Sequence, residues 1–264
     1  MVIITGGTSG IGRALAEEFG SHGSKILITG RNVQQLEATV SELRKKGIQI
    51  EGYAGDVSRD EDNREMANTA IDRYGAIDVL INNAGVSMRA LFEEVDLAVV
   101  KKVMDINFYG VLYATKYCLP EIIRNKGSIV GISSIAGYRG LPGRTGYSAS
   151  KFALNGFLEV LRTEFLTRDV HVLTACPGFT SSAIRKNALT KDGSKQGESP
   201  RAEEEMMSAE ECARHIYRAT VKRKRQLILT AQGKLTIWLN KLFPKLTDKL
   251  VYNAMAREKG APLR

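Results

Sequence analysis

Short apolar runs alternate with longer segments of helical periodicity along most of the chain. The apolar runs are mostly continuous and rich in β-branched residues, which is typical of strands in a parallel sheet covered on both faces. The candidate strands lie at residues 2–5, 25–29, 48–54, 77–82, 128–133, 171–176 and 226–230. The pattern therefore predicts an α/β protein with about seven parallel strands.

Segments of helical length separate these strands, for example residues 34–46, 60–73 and 147–166. Regular alternation of strands and helices favours a doubly wound sheet with right-handed crossovers. No internal repeat or low-complexity linker interrupts the order. We therefore expect one domain over residues 1–230, followed by a basic, amphipathic C-terminal extension over residues 231–264.

Two segments depart from the alternation. Residues 178–208 are polar and contain several glycines, and such a stretch inside a compact fold is usually a functional lid or disordered. Residues 231–257 carry apolar residues at helical spacing, which predicts two amphipathic helices. We expect Pro244 to separate the two, because proline has no N–H with which to continue a helix.

The composition is that of an ordinary globular protein, with 43% hydrophobic and 25% charged residues. The net charge of +9 lies entirely in residues 206–264, which hold 13 basic and four acidic side chains, while the preceding residues are balanced. No apolar run approaches the ~20 residues of a membrane-spanning helix, and no export signal precedes the first strand pattern. We therefore expect a cytoplasmic protein.

The cysteines and histidines indicate neither a disulfide framework nor a metal site. The cysteines number three and have mostly apolar neighbours, which is typical of reduced packing residues. The histidines also number three, lie far apart and match no metal-ligand spacing.

The first predicted strand leads into TGGTSGIG at residues 5–12, and a helical segment follows. Glycines here allow a tight turn and let a phosphate approach the helix N-terminus. A glycine-rich turn alone is a weak signal, but a strand before it and a helix after it are the context of dinucleotide binding. The alternative is a purely structural turn. The candidate cofactor-binding residues in this turn are Gly6, Thr8, Ser9, Gly10, Ile11 and Gly12.

Arg31 follows the second predicted strand, where a cofactor with a free ribose diol usually meets an acidic residue. A guanidinium suits a 2′-phosphate through its charge and its bidentate geometry. This favours NADP(H) over NAD(H). The alternative is an exposed arginine that begins a helix.

Tyr147 and Lys151 stand one helical turn apart, so their side chains share a face. Reduction of a ketone needs a hydride, which a nicotinamide supplies, and a proton. A tyrosine of ordinary pKa near 10 is a poor acid–base group at neutral pH, but a neighbouring ammonium lowers that pKa. We therefore expect Lys151 to lower the pKa of Tyr147. The alternative is a solvated pair on a helix surface.

Further motifs stand in order along the chain: AGDV at 54–57, NNAG at 82–85, DIN at 105–107, SS at 133–134, YSASK at 147–151 and PGFT at 177–180. Together with the glycine-rich turn, this set resembles the short-chain dehydrogenase/reductase family over about residues 2–180. The final strand extends the likeness to about residue 230. The resemblance implies a Rossmann-type fold and an NAD(P)-dependent oxidoreductase that acts on CH–OH groups.

The resemblance also implies roles for individual residues. The further cofactor contacts are Asp56 and Val57 at the adenine, Asn83, Ala84 and Gly85 along the cofactor, and Pro177, Gly178 and Thr180 beside the nicotinamide. The implied catalytic tetrad is Asn107, Ser134, Tyr147 and Lys151. In this family the lysine also binds the nicotinamide ribose, the serine stabilises charge on the substrate oxygen, and the asparagine holds a water that relays protons.

Three of these residues also have structural interpretations. Ser134 is placed to terminate a strand, Asn107 to cap a helix, and Asp56 to act as a turn residue. The ordered motifs favour the functional interpretation of each.

The main hypothesis is an NADP(H)-dependent enzyme that interconverts a ketone and a secondary alcohol. The predicted lid carries Phe179 and Ile184 beside Arg185, which fits a moderately apolar, lipid-like substrate, with or without an acidic group. The basic tail gives a loose likeness to the branch with 11β-hydroxysteroid dehydrogenase-like, lipid-directed reductases. The rival functions are a non-catalytic NADP(H)-binding sensor or scaffold and a peripheral membrane lipid reductase.

Three interpretations of the basic tail stay open. It extends an oligomer interface or covers the substrate pocket, it lies on an anionic membrane surface, or it binds nucleic acid. The last is disfavoured, because no nucleic-acid-binding motif accompanies the basic cluster. A homodimer or homotetramer is implied by the family resemblance alone.

Overall fold

The computed structural model describes residues 1–200 and 206–263 of the chain. Its centre is a parallel sheet of seven strands in the order β3-β2-β1-β4-β5-β6-β7. The strands are β1 Val2–Ile4, β2 Ile26–Gly30, β3 Ile50–Ala54, β4 Val79–Asn82, β5 Ser128–Ile132, β6 His171–Cys176 and β7 Gln226–Ile228. The sheet therefore confirms the predicted fold class.

Helices connect the strands and extend the chain beyond β7. They are α1 Gly10–Ser21, α2 Val33–Lys45, α3 Asp60–Tyr74, α4 Leu97–Met104, α5 Gly110–Arg124, α6 Thr145–Glu164, α7 Ala209–Val221, α8 Ala231–Leu242 and α9 Pro244–Ala256. A π-helical turn, Asp105–Tyr109, joins α4 to α5, and a short 3-10 turn, Ile135–Gly137, follows β5.

Helices cover both faces of the sheet. On one face, α1, α2 and α7 pack through residues such as Leu15, Leu43 and Ile216, each fully buried. On the other face, α3, α5 and α6 pack through residues such as Ala70 and Leu158. Burial on both faces explains why the strands are apolar without alternation.

The strand order reverses between β1 and β4. Strands β2 and β3 continue from one side of β1, while β4 pairs with its other side, where Ile3 lies opposite Leu80. In open parallel sheets, ligands bind in the crevice at the carboxyl ends of the strands at such a reversal. The fold therefore places a binding crevice after β1 and β4.

The predicted C-terminal helices form as α8 and α9, and Pro244 is the first residue of α9. Thr230 caps α8 by accepting a hydrogen bond from the backbone N–H of Gly233 at 3.1 Å. Arg139, in the loop after β5, donates to Asn240 at 3.0 Å and to Asp248 at 2.5 Å. These bonds attach both helices to the body of the protein.

The predicted lid over residues 178–208 includes residues 201–205, which lie outside the described part. Its described residues contain turns and isolated bridges, such as Met88 to Leu189 and Thr180 to Met207. None of the helices within residues 1–200 and 206–263 is both long and apolar enough to cross a membrane.

Candidate active site

A cavity of about 770 Å³ opens at the carboxyl ends of β1 and β4. Its wall contains all of the predicted cofactor-binding residues. Ser134, Tyr147 and Lys151 of the predicted tetrad also line it, whereas Asn107 lies behind the wall. Residues that are far apart in the sequence thus meet at one site.

The glycine-rich turn fits a phosphate because its glycines leave no room for side chains. Gly6 and Gly10 have positive φ angles of 65° and 51°, which favour glycine. A Cβ atom on Gly12 would lie 2.2 Å from the carbonyl oxygen of Gly6. The backbone therefore forms a cradle, at the start of α1, in which a dinucleotide phosphate fits.

Side-chain hydrogen bonds join the glycine-rich turn to the end of β4. The Asn83 amide donates to the carbonyl oxygens of Thr5 at 2.9 Å and of Gly6 at 3.0 Å. The Thr5 hydroxyl oxygen accepts from the backbone N–H groups of Asn83 and Ala84 at 3.0 and 3.1 Å. These bonds hold together the two strand ends on either side of the crevice.

Arg31 and Asp56 lie together at the end of the cavity bounded by β2 and β3. Their side chains approach to 3.6 Å, and that of Arg31 is 59% exposed. Burial would raise the pKa of Asp56, but hydrogen bonds from Ser58 together with Arg31 lower it. Asp56 also accepts from the Ser58 backbone N–H at 3.0 Å, so it is a turn residue as well as part of the wall.

Tyr147 and Ser134 both line the cavity. Burial is the main influence on the pKa of Tyr147 and raises it, while Ser134 and the nearby Arg144 and Arg185 act to lower it. The pKa of Tyr147 in the cofactor-free chain is therefore raised overall, and not lowered as the spacing to Lys151 led us to expect. Burial outweighs the groups that lower it, and burial follows from the folded surroundings, which the spacing of two residues does not reveal.

Lys151 lies 4% exposed beneath the same site. Its Nζ atom donates to the carbonyl oxygen of Ile132 at 2.8 Å and lies 5.8 Å from the centre of the Tyr147 ring. Burial lowers the pKa of Lys151 to about 8. An ammonium with this pKa gains and loses its proton close to physiological pH.

Asn107 is completely buried in the π-helical turn between α4 and α5. Its side chain accepts from the Val86 N–H at 2.8 Å and donates to the Val86 carbonyl oxygen at 2.9 Å and to Ser150 Oγ at 3.0 Å. It therefore does not cap a helix. Instead it joins the chain after β4 to the helix that carries Tyr147 and Lys151.

Ser134 begins the 3-10 turn after β5, where its hydroxyl oxygen accepts from the Ala136 N–H at 3.1 Å. This bond holds the serine at the end of its strand, as the structural interpretation expects. Ser134 also lines the cavity, beside Tyr147.

The loop after β6 carries Pro177, Gly178 and Thr180 along the wall. A Cβ atom on Gly178 would lie 2.1 Å from Cγ2 of Thr230, so the glycine permits the start of α8 to lie against this loop. Thr180 is 3% exposed, and its carbonyl oxygen accepts from Arg185 at 2.7 Å.

Sequence reasoning left open whether the C-terminal helices cover the substrate pocket, and it named none of the residues that do so. Helices α8 and α9 contribute Leu235, Leu239, Leu250 and Met255 to the wall. Their helical spacing in the sequence indicated an apolar face, but it did not decide which surface that face would cover. Arg144 and Glu258 were also missed, and they form an ion pair at 3.1 Å in the wall.

The described residues hold no group of three or more His, Cys, Asp or Glu side chains placed to bind a metal ion. The three cysteines are buried and unpaired with one another.

A glycine cradle at the switch point of a Rossmann-type sheet, next to a partly buried tyrosine above a buried lysine, defines a nicotinamide-dependent oxidoreductase. A family model described as short chain dehydrogenase matches residues 1–193. The chain belongs to the short-chain dehydrogenase/reductase family, and the predicted family and enzyme class, acting on CH–OH or carbonyl groups, are confirmed.

Similar proteins match almost the whole chain. Dehydrogenase/reductase SDR family member 7B of Rattus norvegicus is 33% identical, over 98% of this chain and 82% of the relative. The 11-beta-hydroxysteroid dehydrogenase A of Sesamum indicum is 30% identical, over 98% of this chain and 77% of the relative. The match to both includes the C-terminal extension.

Solved structures of similar proteins contain nicotinamide cofactors. A short chain dehydrogenase/reductase from Burkholderia phymatum in complex with NAD has a TM-score of 0.85 at 25% identity, covering 93% of this chain and 94% of its own. An actinorhodin polyketide ketoreductase variant with NADPH has a TM-score of 0.67 at 32% identity, covering 69% of this chain and 70% of its own.

Proposed function

We propose that the protein is an NADP(H)-dependent oxidoreductase that interconverts a ketone and a secondary alcohol, with Tyr147 as the acid–base residue. The observation that carries the proposal is that Ser134, Tyr147 and Lys151 line the same cavity as the glycine cradle, with the Lys151 ammonium 5.8 Å from the centre of the Tyr147 ring. A bound nicotinamide supplies or accepts the hydride.

In the direction of reduction, Tyr147 donates its hydroxyl proton to the carbonyl oxygen of the substrate, and Ser134 donates a hydrogen bond to that same oxygen. Donors that lie in place before the reaction stabilise the charge that develops there. In alcohol oxidation the proton returns from the alcohol to Tyr147 and the nicotinamide would accept the hydride. A positioned acid of this kind contributes ~10²–10⁴-fold to the rate.

Lys151 supports Tyr147 in this proposal. The carbonyl oxygen of Ile132 orients its ammonium, which favours the ionised form of the phenol. Asn107 keeps the helix of Tyr147 and Lys151 in register with the end of β4 and holds the water that returns protons to Lys151. With a pKa of about 8, Lys151 is suited to carry that proton at neutral pH.

A preference for NADP(H) over NAD(H) rests on Arg31. Its side chain is more than half exposed at the cavity, and its ion pair with Asp56 at 3.6 Å is longer than a direct hydrogen bond. A 2′-phosphate offers this guanidinium a closer, bidentate partner. The NADPH complex of the 32% identical ketoreductase is consistent with this choice, whereas the Burkholderia phymatum structure contains NAD.

The proposed substrate is a moderately apolar, lipid-like carbonyl compound. The apolar side chains that α8 and α9 contribute to the wall favour such a molecule. We also propose that residues 1–230 form the catalytic domain, that part of residues 178–208 acts as a lid and that residues 231–264 close the pocket. The name of the Sesamum indicum relative, a hydroxysteroid dehydrogenase, is in keeping with this substrate class.

The test follows NADPH absorbance with a panel of apolar and polar ketones, for the wild type and for Tyr147→Phe. We expect at least one apolar ketone to be reduced, and the variant to be at least ~100-fold slower while still binding NADPH. Equal rates for both proteins on every reactive ketone would exclude the mechanism. Tight NADPH binding without turnover over the whole panel would favour the non-catalytic sensor or scaffold.

A second candidate function is that of a peripheral membrane reductase. The exposed apolar residues of α8 and α9 include Trp238, Leu242 and Phe243, each more than half exposed, and lysines lie beside them. Aromatic and cationic side chains on one surface suit an anionic lipid interface.

Co-sedimentation with anionic vesicles tests the membrane surface. Replacing Lys241 and Lys245 by glutamine should weaken binding, and added salt should do the same. Binding that is unchanged by both would exclude an electrostatic attachment. A homodimer or homotetramer remains a proposal that the family resemblance favours. Cytoplasmic location remains a prediction from the sequence pattern.

A further inference from the structure

The segment after α9 carries a buried carboxylate into the wall of the cavity. The Glu258 side chain is 4% exposed and lies 3.1 Å from the Arg144 guanidinium and 3.6 Å from that of Arg89. Arg89 also donates to the backbone carbonyl oxygen of Lys259 at 2.8 Å. A buried charge is costly unless it is paired, and these contacts pair the Glu258 carboxylate with two guanidinium groups and hold its segment in place.

Arg144 lies at the start of α6, three residues before Tyr147, and both Arg144 and Glu258 line the cavity. A guanidinium in this position is a ready partner for a carboxylate on a substrate. In the folded chain, however, the carboxylate that Arg144 meets is the protein's own. The rest of this part of the wall includes apolar side chains of α8 and α9, such as Leu239 and Val251.

We propose that Glu258 is a specificity-determining residue that makes the substrate end of the cavity select uncharged carbonyl compounds over carboxylates. A second carboxylate near Arg144 would have to share that guanidinium with Glu258, at a site where water screens charges poorly. Repulsion between like charges of this kind is a common basis of selectivity. The inference narrows the substrate class of the proposed reductase and therefore rests on that proposed function.

The test compares two ketones that differ in charge, 4-acetylbenzoate and its methyl ester. Their dissociation constants are measured by titration calorimetry with NADP⁺ present, so that binding is read without turnover. The measured ratio is the affinity for the carboxylate divided by the affinity for the ester. We expect this ratio to be about tenfold or more higher for Glu258→Gln than for the wild type. Glu210→Gln removes the same charge from the exposed surface of α7 and should leave the ratio unchanged.

The proposal is overturned if the affinity of Glu258→Gln for 4-acetylbenzoate, relative to the methyl ester, is no higher than that of the wild type. An unchanged affinity ratio is distinct from failure of the proposed function, because that failure would be seen as a lack of ketone reduction with NADPH. If circular dichroism shows that Glu258→Gln does not fold, the same binding experiment is done with Arg144→Gln. That variant leaves Glu258 in place, so the relative affinity for the carboxylate should fall about tenfold, and an unchanged ratio contradicts the inference.

Discussion

Replacing Lys151 by methionine should stabilise the cofactor-free protein near neutral pH. The lysine is 4% exposed, and its burial lowers the pKa from 10.5 to about 8. The unfolded chain therefore holds this proton more tightly than the folded chain does. Because one pKa unit corresponds to 1.36 kcal/mol, the charged lysine costs about 3 kcal/mol of stability at pH 7.

Methionine has a similar length and no charge, so it removes this cost. It also removes the hydrogen bond to the Ile132 carbonyl oxygen, which contributes about 1 kcal/mol. The expected net gain is about 2 kcal/mol at pH 7. Between pH 8 and 10.5 the folded wild type has lost the proton that the unfolded chain still binds, so the stability of the wild type rises with pH. Near pH 10 the difference in stability between wild type and Lys151→Met should therefore disappear.

Urea denaturation of both proteins at pH 7 and pH 10 measures this effect. Lys116→Met, at an exposed position of α5, is the control and should change stability little at either pH. A Lys151→Met protein less stable than the wild type at pH 7, or a stability difference that does not depend on pH, would refute the reasoning. If Lys151→Met is more stable than the wild type but inactive, the buried charge is kept for catalysis.

Three further predictions concern the cofactor and the framework of the site. Arg31→Asp should weaken NADPH binding at least tenfold more than NADH binding in fluorescence titrations, and equal losses would mean that Arg31 does not bind the phosphate. Gly12→Ala should abolish binding of both cofactors, since its Cβ would lie 2.2 Å from the Gly6 carbonyl oxygen, and near-normal affinity would contradict the cradle. Asn107→Ala should destabilise the protein by about 2–3 kcal/mol in urea denaturation, because the backbone N–H and C=O of Val86 both lose their hydrogen bond to Asn107, whereas a neutral effect would argue against the structural role of Asn107.

Much of the fold could be predicted because the signals are local. The continuous apolar runs identified all seven strands, although β3 begins at Ile50 and not at residue 48. Ile48 lies in the loop before β3, where it is buried against Gly20 of α1. Because Ile48 is apolar, the sequence pattern predicted a strand that begins too early. Pro244 likewise predicted the boundary between α8 and α9, because the helix-breaking effect of proline depends on the residue itself.

The site was predicted less completely because parts of it depend on distant contacts. Arg144 and Glu258 are 114 positions apart, and neither belongs to a local motif. The pKa of Tyr147 depends on burial by several elements, which the spacing to Lys151 does not reveal. Similarly, the close approach of Gly178 to Thr230 places α8 over the cavity, and no local pattern in either segment indicates that contact.

Single-turnover transfer of deuterium from NADPD to the most reactive ketone tests the role of the Tyr147 hydroxyl most directly. The wild type should transfer deuterium to the carbinol carbon rapidly. Tyr147→Phe, saturated with the same cofactor, should do so at least ~100-fold more slowly, because the carbonyl oxygen no longer receives its proton from the phenol. Transfer by the phenylalanine variant at the wild-type rate would contradict the proposed mechanism.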